Sequence, residues 1–97
     1  MYSLIIPVYK NEESLPDLLD VLAGMNSSLG GNLEAVIVVD GSPDNCYEIL
    51  RARLPGMAFR SQLLLHSRNY GSFAAIRAGM QVANGDFFAV MAADLQE

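Results

Sequence analysis

The chain has 97 residues, a length that suits one small domain. Its formal net charge of −5 gives it no general attraction for polyanions, so nucleic acid is not an expected partner. Hydrophobic residues make up 52% of the chain, which favours strands buried on both faces or a surface that meets a further segment. No apolar run approaches the roughly 20 residues that span a bilayer. We therefore expect this chain to be soluble. Because Cys46 is the only cysteine and cannot form an internal disulfide, we also expect a reducing compartment, the cytoplasm.

The first part of the chain predicts a strand, a helix and a second strand. Tyr2–Val8 is an apolar run closed by turn-forming residues, which is typical of a buried strand. Ser14 is a candidate N-cap. The helical spacing that follows is carried by Leu15, Leu18, Leu19 and Leu22. This helix is expected to fade into the polar, glycine-containing loop Asn26–Gly31, and Leu33–Val39 predicts the second buried strand.

The remaining chain continues the same alternation. The predicted elements are a helix capped by Asp44 and running to about Leu54, a strand over Ser61–His66, a helix over Phe73–Ala83 and a strand over Phe87–Met91. Asn84 and Gly85 are expected to end the last helix in the left-handed conformation. Strands that alternate with helices predict an α/β fold: a Rossmann-like, three-layer α/β/α arrangement with a mostly parallel sheet. We expect residues 1–97 to form a single unit, truncated shortly after its fourth strand.

Four loops follow the four predicted strands. Because ligands bind beyond the carboxyl ends of parallel strands, these loops are expected to form one site. They are Tyr9–Glu13, Asp40–Asp44, His66–Ser72 and Ala92–Glu97.

The first two loops offer an aromatic ring and carboxylates. Tyr9 can pack beside a base or ribose, and Glu12 can accept a hydrogen bond from a hydroxyl; alternatively, Glu12 only favours the start of a helix. Asp40 can accept from a base N–H or a ribose hydroxyl. The alternative is a simple Asp-Gly turn, with Asp44 as the cap of the next helix.

The last two loops offer charge for a phosphate and oxygens for a cation. Arg68 precedes a helix start that suits a phosphate, although a solvent-facing Arg68 in an ordinary loop is equally compatible. Asp94 and Gln96 have the alternate spacing that can direct two oxygens at Mg²⁺ or Mn²⁺; a polar strand exit is the alternative. His66 has no second histidine or cysteine nearby, so a packed or hydrogen-bonded role is expected instead of zinc binding. Cys46 is expected to be structural.

Five segments resemble one family in order and spacing: IIPVYKNEESLP, VVDGSPDN, SRNYGSFAAIRAGM, ANGDFFAVM and ADLQE. The chain is similar to the amino-terminal part of family 2 glycosyltransferases of the GT-A fold, and most similar to those that use polyprenyl phosphates, such as dolichyl-phosphate mannose synthase. The resemblance implies a UDP- or GDP-sugar donor, a Mg²⁺ or Mn²⁺ ion, and a lipid-phosphate or glycan acceptor. It also implies a complete protein at the cytoplasmic face of the membrane. Apart from the resemblance, the apolar composition leaves a homodimer that covers exposed apolar surface as a further expectation.

The resemblance also assigns roles to residues. Pro7, Tyr9, Glu12 and Asp40 fall where the family holds the nucleoside, and Ala75 falls where a helix packs under the base. Asp94 and Gln96 match the later part of the family's metal motif, and Asp94 is also expected, like Arg68, to contribute to nucleotide binding. No catalytic residue is expected in these 97 residues, because the family places its acceptor site and base further along the chain.

Two positions depart from the family pattern. Val39 replaces the first of two aspartates before Gly-Ser, and Ala92 replaces the aspartate that opens the metal motif. The carboxylate missing at Ala92 favours one alternative function, a non-catalytic nucleotide- or sugar-binding module. A second alternative is a response-regulator-like domain that shares only the architecture. That class needs an acidic pair and a later lysine that this chain lacks.

Overall fold

The computed structural model describes residues 1–94, which form a four-stranded parallel sheet with helices on both faces. The strands are β1 (Tyr2–Val8), β2 (Leu33–Asp40), β3 (Arg60–His66) and β4 (Phe87–Val90). The helices are α1 (Leu15–Ser28), α2 (Cys46–Arg53) and α3 (Ser72–Val82), with short 3₁₀ turns at Glu12–Ser14 and Leu54–Gly56. All neighbouring strands pair in parallel, in the order β3-β2-β1-β4. The predicted order of elements is confirmed.

The strand order explains the three layers. The chain moves from β1 to β2 to β3 in one direction, so right-handed crossovers place α1 and α2 on the same face. The connection from β3 to β4 runs back past β2 and β1, which places α3 on the opposite face. There α3 packs closely, since a Cβ atom at Gly79 would lie 2.7 Å from Cγ2 of Ile5. The predicted Rossmann-like α/β/α fold is therefore confirmed.

The central strand β2 is buried along its whole length. Its odd-numbered residues, such as Ile37 and Val39, join the apolar core under α1 and α2. Its even-numbered residues face α3 and include two buried carboxylates, Glu34 and Asp40. Burying a carboxylate is costly unless it receives hydrogen bonds, and both residues receive several.

The start and the end of α1 differ from expectation. Ser14 stands at the N-cap but makes no side-chain capping hydrogen bond. The preceding 3₁₀ turn takes over, because the Ser14 N–H donates to the Asn11 carbonyl at 2.9 Å. The expected loop beginning at Asn26 is wrong: α1 continues to Ser28, and the buried Asn26 accepts the N–H of Leu33 on Oδ1. The side chain of Asn26 thus joins the helix to the start of β2.

The start of α2 depends on a local contact, whereas the end of α3 depends on a tertiary one. Asn45, and not Asp44, stands at the N-cap of α2 and makes no side-chain capping hydrogen bond, but the Asp44 carboxylate just before it accepts the N–H of Cys46 at 3.3 Å. The expected left-handed end of α3 is wrong, because Ala83 is extended and Gly85 has no positive φ. Gly85 is required for space instead, since a Cβ atom there would lie 2.5 Å from Oγ of Ser3.

A large apolar surface remains exposed at one edge of the sheet. All four residues of the edge strand β4 are exposed, and Tyr2 stacks on Phe87 with 5.3 Å between ring centroids. Phe73, in the first turn of α3, is 84% exposed. Within residues 1–94, no helix has the length and apolar character needed to cross a membrane.

Candidate functional site

The site lies where the chain reverses its direction across the sheet. β1 and β4 are neighbours, but the connections that follow β1 and precede β4 lie on opposite faces. A crevice therefore opens beyond their carboxyl ends, as expected at such a switch point. It holds a cavity of about 360 Å³. The cavity is lined by Pro7, Val8, Tyr9, Asn11, Asp40, Ser72, Ala92, Ala93 and Asp94.

Four residues predicted for nucleotide binding line this cavity: Pro7, Tyr9, Asp40 and Asp94. Tyr9 is 41% exposed, and Nζ of Lys10 lies over its ring, 5.4 Å from the ring centroid. The parallel pairing of β1 with β2 and β4 brings together residues that lie more than 80 positions apart in sequence.

Asn11 and Ser72 also line the cavity, although no sequence pattern predicted them as ligands. Asn11 shapes the first loop, because its Oδ1 accepts the N–H of Tyr9 at 2.9 Å. Ser72 is the first residue of α3. The only sequence feature that indicated Ser72 as a site residue is its position at the end of the third strand-exit loop.

Glu12 joins the first loop to the second. Its Oε1 accepts the N–H of Asn45 at 2.9 Å, while its own N–H donates to Oδ2 of Asp44 at 3.3 Å. The Lys10 N–H donates to Oγ of Ser42 at 2.8 Å, and that hydroxyl in turn binds Asp44. Burial would raise the pKa of Asp44, but the hydrogen bonds from Ser42, Cys46 and Glu12 outweigh it and lower the pKa. These contacts make the first two loops one unit.

Asp40 joins the second loop to the third. Oδ1 accepts the Tyr70 N–H at 3.0 Å and lies 2.9 Å from Nδ1 of His66, while Oδ2 accepts the Gly71 N–H at 2.9 Å. Burial would raise the pKa of Asp40, but the hydrogen bonds from Tyr70, His66 and Gly71 outweigh it and lower the pKa. Asp40 is therefore an ionised, buried carboxylate at the cavity wall.

The backbones of the second and third loops are also in direct contact, where Gly41 meets Arg68. A Cβ atom at Gly41, which has φ +66°, would lie 2.1 Å from the carbonyl carbon of Arg68. Only glycine combines that conformation with so close an approach.

Three other predicted residues do not line the cavity: Glu12, Arg68 and Ala75. Arg68 is exposed, and its guanidinium carbon lies 5.1 Å from the centroid of the Tyr70 ring. Ala75 is fully buried on α3, and its N–H donates to the Gly71 carbonyl. His66 is hydrogen-bonded at the end of its strand, as the sequence predicted.

A second, acidic cavity of about 510 Å³ adjoins the first. It is lined by Lys10, Asn11, Glu12, Glu13, Ser14, Asp44 and Asp94. Asp94 and Asn11 belong to both cavities, so Asp94 stands at their junction.

Asp94 is the described residue that matches the predicted cation site. Within residues 1–94, no three histidine, cysteine, aspartate or glutamate side chains are grouped closely enough to hold a metal. Gln96, the other predicted ligand, lies outside the described residues. Mg²⁺ is commonly held by one or two carboxylates, with phosphate and water oxygens completing its shell. A single carboxylate that lines both cavities fits that pattern.

The two departures from the family pattern lie in different surroundings. Val39 is fully buried in the core under α1 and α2, whereas its neighbour Asp40 faces the other side of the strand. Ala92 lines the cavity, two positions before Asp94. The replacement at Ala92 therefore changes the charge of the cavity, while the replacement at Val39 extends the apolar core.

Comparison with known proteins agrees with this geometry. Two curated relatives are undecaprenyl-phosphate 4-deoxy-4-formamido-L-arabinose transferases. The one from Aeromonas hydrophila subsp. hydrophila is 41% identical over 99% of this chain and 29% of its own length. The one from Pseudomonas paraeruginosa is 41% identical over 99% of this chain and 28% of its own. The chain thus spans less than a third of these relatives.

Solved structures share the fold. The crystal structure of S. aureus TarS 1–349 superposes with a TM-score of 0.82 at 23% identity, over 96% of this chain and 27% of that one. The same protein in complex with UDP gives a TM-score of 0.83 at 23% identity and the same coverage. The family model for glycosyl transferase family 2 matches residues 3–97. The chain therefore belongs to glycosyl transferase family 2.

Proposed function

We propose that this chain is the donor-binding part of an enzyme that transfers a sugar from a nucleoside diphosphate sugar to a polyprenyl phosphate. The observation that carries the proposal is the cavity at the switch point, which gathers Pro7, Tyr9, Asp40 and Asp94 from three strand ends. The names of the curated relatives support an undecaprenyl-phosphate acceptor. A glycan is the other acceptor class compatible with the family.

Different cavity residues contact different parts of the nucleotide. Tyr9 and Pro7 contact the base or ribose, and the ionised Asp40 accepts from a base N–H or a ribose hydroxyl. Glu12 acts through the loop that it fastens, and the small, buried Ala75 lets α3 pack beneath the nucleoside. Arg68, on the neighbouring loop, supplies positive charge toward the diphosphate.

Asp94, together with Gln96, would hold Mg²⁺ or Mn²⁺ beside the diphosphate. When bound, such a cation neutralises charge that develops on the leaving diphosphate. A phosphate acceptor is already ionised near neutral pH and needs little help from a base. We assign no catalytic base to residues 1–94.

The setting of the reaction is also part of the proposal. Nucleotide sugars and a chain with one buried thiol suit the cytoplasm, and a polyprenyl phosphate places the complete protein at the cytoplasmic face of the membrane. The exposed edge strand β4 is the surface that a homodimer would cover.

A non-catalytic nucleotide-binding module is the second candidate function. Ala92 favours it, because the cavity lacks the carboxylate that the family places at that position. Such a module would bind the nucleotide whether or not a divalent cation is present.

Calorimetry of the full chain with UDP and GDP, with and without Mn²⁺, separates these functions. If the chain is part of a transferase, Mn²⁺ should tighten nucleotide binding. Asp94→Asn should then weaken Mn²⁺-supported binding about tenfold, as expected for the loss of one charged ligand. Asp20→Asn is the matched control, since Asp20 is an exposed carboxylate on α1 that lines neither cavity. Binding that ignores Mn²⁺ would favour the module. No binding of either nucleotide would refute both functions.

A further inference from the structure

The central strand carries two buried carboxylates, and each receives a hydrogen bond from a side chain of β3. Near the amino end of the sheet, Nε2 of Gln62 donates to Oε2 of Glu34 at 3.0 Å. At the carboxyl end, Nδ1 of His66 lies 2.9 Å from Oδ1 of Asp40. The first pair is remote from the cavity, whereas the second adjoins it. The proposed function gives His66 no role.

Asp40 gathers the loop that joins β3 to α3. Besides the N–H groups of Tyr70 and Gly71 on its carboxylate, its backbone carbonyl accepts from Nδ2 of Asn69 at 3.2 Å. This loop leads directly into Ser72, which lines the cavity. A rotation of the Asp40 carboxylate would therefore release two amides at once and free the loop beside the cavity.

His66 restrains that rotation from the neighbouring strand. Asp40 and His66 are directly paired in the register of β2 and β3, and the His66 ring meets the Tyr70 ring edge-on at 5.4 Å. An ionised carboxylate only accepts hydrogen bonds, so Nδ1 of His66 carries the proton of this contact. The ring is thus held from two sides, by Asp40 and by the loop that Asp40 binds.

We infer that His66 is a positioning residue of the nucleotide site, which acts through Asp40 to hold the loop before α3 against the cavity. The inference rests on the proposed function. A carboxylate offers about four acceptor positions, and three are occupied by His66, Tyr70 and Gly71. The remaining position, on Oδ2, is the one that a nucleotide would use.

The test compares three variants of the full chain. His66→Phe keeps an aromatic ring but removes the donor. His66→Asn keeps an N–H donor at the same number of bonds from the backbone. Gln62→Leu is the matched control, because it removes the corresponding hydrogen bond from the other carboxylate of β2, together with a 2.7 Å hydrogen bond from Nε2 of Gln62 to the Val82 carbonyl. For each variant we would measure the Kd for UDP and GDP, the thermal midpoint, and the hydrogen exchange of the Tyr70 and Gly71 amides.

We expect His66→Phe to weaken nucleotide binding about tenfold, the loss typical of one hydrogen bond to a charged group. The Tyr70 and Gly71 amides should exchange faster in this variant. His66→Asn should restore both properties to within about twofold of the parent chain. Gln62→Leu should lower the thermal midpoint without changing the Kd or these two exchange rates.

Two results would overturn the inference. One is unchanged exchange at Tyr70 and Gly71 in His66→Phe. The other is a Kd that rises in step with the loss of thermal midpoint in all three variants, which would show a purely structural role. If the parent chain binds neither nucleotide, the proposed function fails and the role at a nucleotide site fails with it. The exchange rates would still show separately whether His66 holds the loop.

Discussion

Replacing Gly41 with alanine tests the contact between the second and third loops, and Gly30 provides the matched control. Both glycines have φ +66°. A Cβ atom at Gly30 would meet nothing within 4 Å. At Gly41 it would lie 2.1 Å from the carbonyl carbon of Arg68 and 2.3 Å from the backbone nitrogen of Asn69. The two variants therefore share the conformational cost and differ in the steric cost.

The expected magnitudes follow from that difference. A left-handed alanine costs about 1 kcal/mol, so Gly30→Ala should lower the free energy of unfolding by about that amount. Gly41→Ala should lose a further 1–3 kcal/mol or so, the usual range for overpacking, because backbone atoms must move. For a chain of this size, each kcal/mol corresponds to about 4–8 °C in the thermal midpoint. The displaced loop should also weaken nucleotide binding.

Chemical denaturation of both variants, followed by circular dichroism, measures the difference. Calorimetry with UDP and GDP measures its effect on the cavity. Equal losses of stability in Gly41→Ala and Gly30→Ala would refute the reasoning, since the steric contact would then contribute nothing. A large stability loss at Gly41 with unchanged nucleotide affinity would show that the loop contact does not shape the site.

Three further predictions concern charged or ionisable groups. Burial would raise the pKa of Glu34, but hydrogen bonds from Asn84, Ser3 and Gln62 outweigh it and lower the pKa below its ordinary value. The ionised Glu34 therefore stabilises the fold fully at pH values above the pKa that it has in the unfolded chain, and this stabilisation is lost as the pH falls through the folded-state pKa. Glu34→Gln should destabilise the fold by about 1–3 kcal/mol at pH 7 and flatten its acid denaturation profile; an unchanged profile would contradict this. Burial, reinforced by Asp44, raises the pKa of Cys46 to about 11, so native alkylation by iodoacetamide at pH 8 should be at least about a hundredfold slower than in urea. Comparable rates by mass spectrometry would show that the thiol is accessible. Ala92→Asp adds a carboxylate to the cavity and should increase the tightening of UDP binding by Mn²⁺, whereas Ala92→Asn should not. Equal Mn²⁺ effects in calorimetry would contradict this.

The sequence predicted the fold well because its signals are local. Apolar runs such as Leu33–Val39 and the leucine spacing of α1 identify buried strands and an amphipathic helix without knowledge of their neighbours. The alternation of strands and helices then predicts parallel pairing, and parallel pairing predicts where the strand-exit loops meet. Tyr9, Asp40 and Asp94 were found in this way, and Pro7 through the family resemblance; all four line one cavity.

The ends of the helices were less predictable. Asn26 and Gly85 are both residue types that are frequent in loops. Asn26 nevertheless lies in α1 and accepts a hydrogen bond from Leu33 of β2, and Gly85 leaves space for the Ser3 side chain. Each depends on a contact with another strand. Glycine and asparagine are frequent in loops for local reasons, so composition alone favours the wrong interpretation.

By itself, the sequence determined the order of elements, the burial of the central strand and the loops that form the site, because periodicity and turn chemistry act over a few residues. Only the tertiary structure decided which side chains meet: Glu12 with Asn45, Asp40 with His66, and Glu34 with Asn84. These partners are 26 to 50 residues apart, so no local pattern records them. A buried carboxylate needs hydrogen-bond donors, but the strand register selects which donors it receives.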